Sequence, residues 1–85
     1  MWSYLVCCEL HDPERNGETI AKILAGAGAK RVYNWVWIWE TDTNNARSIV
    51  EILRPALEPQ DKAMACELAE DMAHSAPSVR YTIKL

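Results

Sequence analysis

Apolar and polar residues alternate over several stretches of the chain, and such alternation predicts β-strands. In residues 3–10 both faces of the alternation are mostly apolar, which is typical of a central strand covered on each side. Residues 30–41 have strand character throughout, with Asn34 as the one turn-forming residue near the middle. That segment is therefore either one long strand or two short strands bent near Asn34. Residues 62–68 and 79–85 complete the set of predicted strands.

Two other stretches repeat apolar residues at the three- and four-residue spacing of an amphipathic helix. The first stripe consists of Ile20, Ile23, Leu24 and Ala27, and the second of Ala46, Ile49, Val50 and Leu53. Asn16 or Thr19 is expected to cap the start of the first helix. Gly26 or Gly28 is expected to end it in the left-handed conformation. Residues 42–45 supply several candidate caps for the second helix.

The order of these elements predicts a ferredoxin-like α+β fold, βαββαβ with an extra C-terminal strand. Right-handed crossovers place the first strand in the middle of an antiparallel sheet, between the third strand and the strand at 62–68. Both helices then cover one face of the sheet. The 85 residues make one domain, with a core at 1–69, a connector at 70–78 and a terminal strand at 79–85. That last strand is a candidate for exchange with a partner.

Trp35, Trp37 and Trp39 share one face of the predicted strand. Each indole carries roughly 150–250 Å² of surface, so we expect one pair of helices to be too small to cover all three. The remaining apolar surface predicts a protein partner, most simply a second copy related by two-fold symmetry. The residues expected at the dimer interface are Tyr4, Trp35, Trp37, Trp39, Tyr81 and Ile83. Base stacking on the indoles is the alternative, but residues 34–40 lack the interleaved Lys or Arg of stacking platforms.

The net charge of −3 supplies no long-range attraction for a phosphate backbone, so a nucleic-acid role requires a local basic patch. The candidates for that patch are Arg15, Lys30, Arg31, Arg80 and Lys84. The three cysteines, Cys7, Cys8 and Cys66, are an odd number without CxxC spacing, which argues against a disulfide framework and a four-cysteine zinc site. No apolar run approaches the ~20 residues of a membrane span, and the first residues lack a signal-peptide pattern. We therefore expect a cytoplasmic protein without a membrane partner.

Residues 8–15 read Cys-Glu-Leu-His-Asp-Pro-Glu-Arg, and residues 28–32 read Gly-Ala-Lys-Arg-Val. Together these segments resemble the CRISPR-associated protein 2 superfamily, which includes the VapD-like and SinR-like proteins. The SinR-like members are the most similar. The amino-acid pattern of the SinR-like proteins also fits three further segments, residues 36–38, 49–55 and 61–68. The resemblance covers most of residues 4–68.

The resemblance implies a ferredoxin-like homodimer whose C-terminal strand often crosses to the partner's sheet. For some members it implies a Mg²⁺-dependent nuclease in which each protomer contributes an Asp from the end of the first strand. That position is Glu9 here, so the carboxylate lies one methylene farther from the backbone. For other members it implies a scaffold that holds DNA beside the CRISPR integrase subunit without hydrolysis. The candidate catalytic residues are Glu9, His11 and Asp12, and the candidate substrate is DNA or RNA. Glu9 is also the candidate metal ligand. His11 is a candidate general base, and Asp12 is a carboxylate that could assist the metal.

Ordinary structural roles are the competing interpretation of each candidate. Glu9 is then a polar strand end paired with Arg15. His11 and Asp12 are then turn residues before Pro13. Two other functions suit the same fold: a dimeric α+β barrel that binds or oxidises a small apolar ligand, and a structural dimer such as a scaffold subunit or a toxin–antitoxin component.

Overall fold

The computed structural model of the chain describes residues 2–68. Its elements are, in chain order, β1 (Trp2–Glu9), α1 (Pro13–Gly26), β2 (Lys30–Tyr33), β3 (Val36–Thr41), α2 (Ala46–Leu53), a 3₁₀ turn (Arg54–Ala56) and β4 (Lys62–Glu67). The predicted connector at 70–78 and terminal strand at 79–85 lie outside the described residues. The candidate residues Arg80, Tyr81, Ile83 and Lys84 lie outside them too.

Residues 2–68 form a small α+β fold with a four-strand sheet and two helices. The strand order is β2-β3-β1-β4, and each neighbouring pair is antiparallel. This arrangement is compatible with a ferredoxin-like fold and confirms that β1 lies between β3 and β4. The segment at 30–41 forms two strands that part at Asn34 and Trp35, so the single-strand alternative is wrong.

One face of the sheet packs against both helices and forms the core. Every second residue in the middle of β1 is buried, namely Tyr4, Val6 and Cys8, and the residues between them are less buried. The three buried residues belong to one cluster with Trp37 and Trp39 of β3. The helices contribute Ile20, Leu24, Ile49 and Leu53 to the same cluster. Both helices therefore face the sheet with their predicted stripes, except that Ala27 is exposed and lies just beyond the end of α1.

The indoles lie on this helix-covered face, contrary to the expectation that the helix pair is too small for them. Trp37 and Trp39 are 2% and 3% exposed, and Tyr4 is 5% exposed. Trp35 is partly buried against the same core. The structure corrects the expectation that Tyr4, Trp37 and Trp39 face a partner, because side chains enclosed within one chain have almost no surface left to offer.

Trp35 fits closely against α1 because residue 17 is glycine. A β-carbon at position 17 would stand 2.6 Å from Cη2 of the Trp35 ring and 3.2 Å from Cζ2. The Trp35 ring is also tilted by 56° against the Trp37 ring, with 5.8 Å between centroids. The Arg31 guanidinium lies 4.8 Å from both centroids. The Trp35 ring is therefore held by α1, by its neighbour in the sheet and by a cation.

The start of α1 lies before its apolar stripe. Asp12 occupies the N-cap position and Pro13 is the first helical residue, where the missing N–H of proline breaks no helical hydrogen bond. The expected caps, Asn16 and Thr19, lie inside the helix, so that prediction is wrong. The helix thus begins close to the end of β1, and the two are joined by a short loop.

The other helix ends follow the sequence more closely. α1 ends at Gly26, and Gly28 follows with a φ of +92°, a conformation that favours glycine. α2 is capped by Asn45, whose side chain accepts a hydrogen bond from the Ser48 N–H. The Ser48 hydroxyl in turn accepts from the Asn45 N–H, which completes a capping box.

The opposite face of the sheet is apolar and is covered by neither helix. Strand register and alternation place six side chains there: Leu5, Cys7, Val36, Ile38, Met64 and Cys66. We call this surface the helix-free face. Met64 is 54% exposed, Cys66 is exposed, and the other four are half-buried. A sheet face with this apolar centre is the surface on which a protein partner is expected.

Gly17→Ala is predicted to lower the free energy of unfolding by about 1 kcal/mol or more. The overpacking of a fixed ring costs about 1–3 kcal/mol and exceeds the gain of up to about 1 kcal/mol from helix propensity. Gly26→Ala is the matched control, since a β-carbon there meets nothing within 4 Å. It is predicted to stabilise the protein by about 0.5 kcal/mol. Urea denaturation of the two variants measures both effects, and equal values would contradict the packing described for Trp35.

Candidate functional site

Glu9 is exposed at the end of β1, on the rim of the helix-free face. Its partner in the register with β4 is Lys62, so a carboxylate and an ammonium group lie on the same face of adjacent strands. The side chains behind Glu9 on that face are Cys7 and Met64, which are also opposite each other. A charged rim therefore borders an apolar surface at this end of the sheet.

The Asp61 carboxylate organises the loop that follows Glu9. Asp61 Oδ1 accepts a hydrogen bond from the His11 backbone N–H at 2.8 Å. Asp61 Oδ2 accepts from Asn16 Nδ2 at 2.7 Å and from the Glu58 N–H at 2.8 Å. Asn16 Nδ2 also donates to the Ala56 carbonyl at 2.8 Å. One side chain thus ties the loop after β1, the first turns of α1 and the segment before β4 together.

These hydrogen bonds lower the pKa of Asp61 below its ordinary value of 3.8. The Glu58 and His11 backbone N–H groups are the main causes, and the Asn16 amide adds to them. Each donor favours the charged form of the carboxyl group. Asp61 is therefore a structural anion, and its hydrogen bonds are stronger while it is ionised than after it is protonated.

His11 and Asp12 lie beside this anchor. His11 is exposed, and Asp12 at the N-cap position makes no side-chain capping hydrogen bond. Arg15 forms an ion pair with Glu58 at 3.1 Å and not with Glu9. A concavity of about 320 Å³ is lined by His11, Arg15, Glu58, Pro59 and Gln60. The concavity is open to solvent, and its lining combines charged and polar groups with apolar surface.

Glu9 is the candidate carboxylate for a metal ion at the end of β1. Among residues 2–68, no three His, Cys, Asp or Glu side chains converge as a metal site. Mg²⁺ is commonly held by one or two carboxylates with water and substrate oxygens. Glu9 supplies one such carboxylate, and a second copy of the chain would supply another.

The basic candidates within the described residues do not form one patch. Lys30 is opposite Ile38 and so shares the helix-free face, whereas Arg31 is opposite Trp37 on the other face. Arg31 stacks on Trp35 and Trp37 and donates hydrogen bonds to the Asn34 carbonyl. Its guanidinium therefore covers indole surface that a nucleobase would need for stacking.

Two features of this region were missed at the sequence level. Asp61 follows Pro59 and Gln60 in a loop, and nothing in that local pattern signals its bonds to residues 11, 16 and 58. Lys62 was assigned to a strand, but its position opposite Glu9 depends on the register between distant strands. Pairing of β4 with β1 was predicted, and the exact register was not.

Comparisons with known proteins add no assignment. No protein-family model matches the sequence, and no curated protein is similar enough to count as a relative. Neither helix within residues 2–68 has the length and apolar character needed to cross a membrane.

Asp61→Asn is predicted to lower the melting temperature at neutral pH, because an amide cannot replace a carboxylate that accepts from three donors. A lowered pKa in the folded state means that this stabilisation is present above the ordinary value of 3.8 and is lost as the pH falls below it. Thermal unfolding from pH 7 to pH 2 measures the difference between the parent and the variant, which should narrow at the acid end. Asp12→Asn is the control in the same loop and should change the melting temperature less. A difference that is constant across the pH range would contradict the role of the ionised Asp61.

Proposed function

We propose that this protein is a ferredoxin-like homodimer of the CRISPR-associated protein 2 kind, similar to its SinR-like members, and that it acts on nucleic acid. The strand order β2-β3-β1-β4, with two crossover helices on one face, supports the βαββαβ assignment. The extra C-terminal strand at 79–85 is part of this proposal. It lies outside the described residues.

The observation that carries the proposal is the position of Glu9 on the rim of an apolar, helix-free sheet face. A second copy packed on that face by two-fold symmetry presents the same residues in reverse. An axis near the end of β1 then brings the two Glu9 carboxylates together. The functional carboxylate of each protomer and the surface used for pairing are therefore adjacent in this fold.

The helix-free face has the composition of a self-complementary interface. Its centre is aliphatic and sulfur-containing, and its rim carries Glu9, Lys30, Glu40 and Lys62. Interfaces commonly combine a desolvated apolar centre with a polar rim. Charges of both signs on one surface favour pairing with an identical surface.

The proposed chemistry is hydrolysis of a phosphodiester. The Glu9 carboxylates of the two protomers would hold Mg²⁺, which polarises a phosphoryl oxygen and lowers the pKa of bound water. The exposed His11 lies two residues farther along the chain and is the candidate general base. The bond from its backbone to Asp61 keeps the His11 backbone close to the end of β1.

The small-ligand barrel receives less support. Three indoles and the aliphatic side chains of both helices pack together on the helix-covered face, which is the place where a barrel would hold an apolar ligand. Three concavities along residues 2–68, of about 530, 750 and 320 Å³, are open to solvent, and each has charged side chains in its lining. The core therefore favours the nucleic-acid function over an apolar binding cavity.

Glu9→Gln is predicted to reduce cleavage of labelled single-stranded RNA or double-stranded DNA by about 100-fold or more, as expected for loss of a positioned catalytic group. The assay uses Mg²⁺ or Mn²⁺, and addition of EDTA should abolish cleavage. Glu40→Gln is the matched control. Glu40 belongs to β3 and lies on the same sheet face as Glu9, beside the start of β1 and so far from its end. It should retain the activity of the parent.

Equal cleavage by the parent and Glu9→Gln would overturn the hydrolytic role of this carboxylate. Binding without cleavage in all three proteins, weakened by added salt, would leave the scaffold function in place of hydrolysis. Neither binding nor cleavage would overturn the nucleic-acid proposal as a whole.

A further inference from the structure

Three sulfur-containing side chains lie next to each other on the helix-free face. Cys7 of β1 is directly opposite Met64 of β4, and Cys66 is two residues farther along β4, opposite Leu5. Residues two apart on a strand point to the same side of the sheet. Cys7 and Cys66 are therefore diagonal neighbours, with Met64 completing a triangle.

Within a single chain, the side chains of this triangle are exposed or half-buried. Met64 is 54% exposed, Cys66 is exposed and Cys7 is half-buried. Cys8 points to the other side of the sheet, where burial raises its pKa to about 11. The register makes the two thiols on the helix-free face diagonal neighbours, and Cys8 is separate from them.

The spacing suits a bridging ion better than a disulfide. Diagonal neighbours in an antiparallel pair have α-carbons roughly 7–8 Å apart, beyond the ~7 Å that a disulfide spans without backbone movement. When two thiolates bind the same metal ion at ~2.3 Å each, their sulfur atoms lie up to ~4.6 Å apart. That span lies within reach of two cysteine side chains leaning toward each other from adjacent strands.

We propose that Cys7, Cys66 and Met64 form a binding site for a soft monovalent metal ion. Cu(I) is the ion that we expect the site to prefer. Two thiolates and one thioether are the donor set that soft ions select. Structural zinc sites take four ligands, usually including His or additional Cys, and this triangle within residues 2–68 has none of those nearby. Binding replaces the two thiol protons, which are released to solvent, so affinity rises with pH.

The site does not depend on the nucleic-acid function. Glu9 is on the rim and provides none of the three sulfur ligands. A second copy on the same face would bring a second set of sulfurs to the interface, so two chains hold either two ions or one shared ion. The same three residues of each chain bind the metal whether two chains hold two ions or share one.

The test is a titration of fully reduced, full-length protein with Cu(I) under argon, in competition with the chromophoric chelator bicinchoninate. We expect saturation at no more than about one ion per chain. Cys7→Ser and Cys66→Ser should each weaken binding by at least about tenfold, the loss that even outer partners of a metal site cause. Met64→Leu keeps the size of the side chain and should weaken binding less. Cys8→Ala is the matched control and should bind as the parent does.

Circular dichroism of each variant checks that it is folded, and Cys7→Ala provides the same test if serine at position 7 disturbs the strand. Two results would overturn the inference: no competition with the chelator by the parent, or unchanged affinity in the folded Cys7 and Cys66 variants. A loss of binding in Cys8→Ala equal to that in Cys7→Ser would also overturn it. Retained nuclease activity in the cysteine variants would separate this site from the function of Glu9.

Discussion

Packing of indole rings between the sheet and the helices decides how the two faces of this sheet differ. Each aromatic ring removes roughly 150–250 Å² from water on full burial, which corresponds to an upper estimate of roughly 4–6 kcal/mol. Exposed ion pairs such as that between Arg15 and Glu58 contribute about 1 kcal/mol or less. The indoles therefore determine which face the helices cover, and Gly17 permits the close approach of α1 to Trp35.

The consequence of that packing is an apolar face on the other side of the same strands. β1 supplies buried Tyr4 and Val6 to the core and half-buried Leu5 and Cys7 to the helix-free face. The strand that carries the candidate carboxylate Glu9 at its end is thus also the centre of the surface available for pairing. The proposed dimer, the proposed shared ion and the sulfur site all follow from this one division of the sheet.

Most of the fold could be predicted because alternation and helical spacing are local signals. Residues 3–10 and 62–68 were identified as strands, and Asn34 marked the bend that the structure has. The start of α1 was placed too late, because Asn16 has the side chain of a cap but is used inside the helix to bind Asp61. The face of the indoles could not be predicted, since the space at Gly17 depends on how α1 crosses the sheet.

For the candidate site, Glu9 and His11 could be named from the sequence. The anchoring of the loop by Asp61 could not, because it joins residues about fifty positions apart.

Sedimentation equilibrium of the 85-residue chain at micromolar concentration tests the central claim most directly. The account predicts a mass of twice the 9.7 kDa chain, because a second copy covers the helix-free face. It also predicts that Ile38→Glu, which places a charge in the middle of that face without entering the core, gives folded single chains. A mass of one chain for the unaltered protein, or an unchanged dimer in Ile38→Glu, would contradict the assignment of this face as the pairing surface.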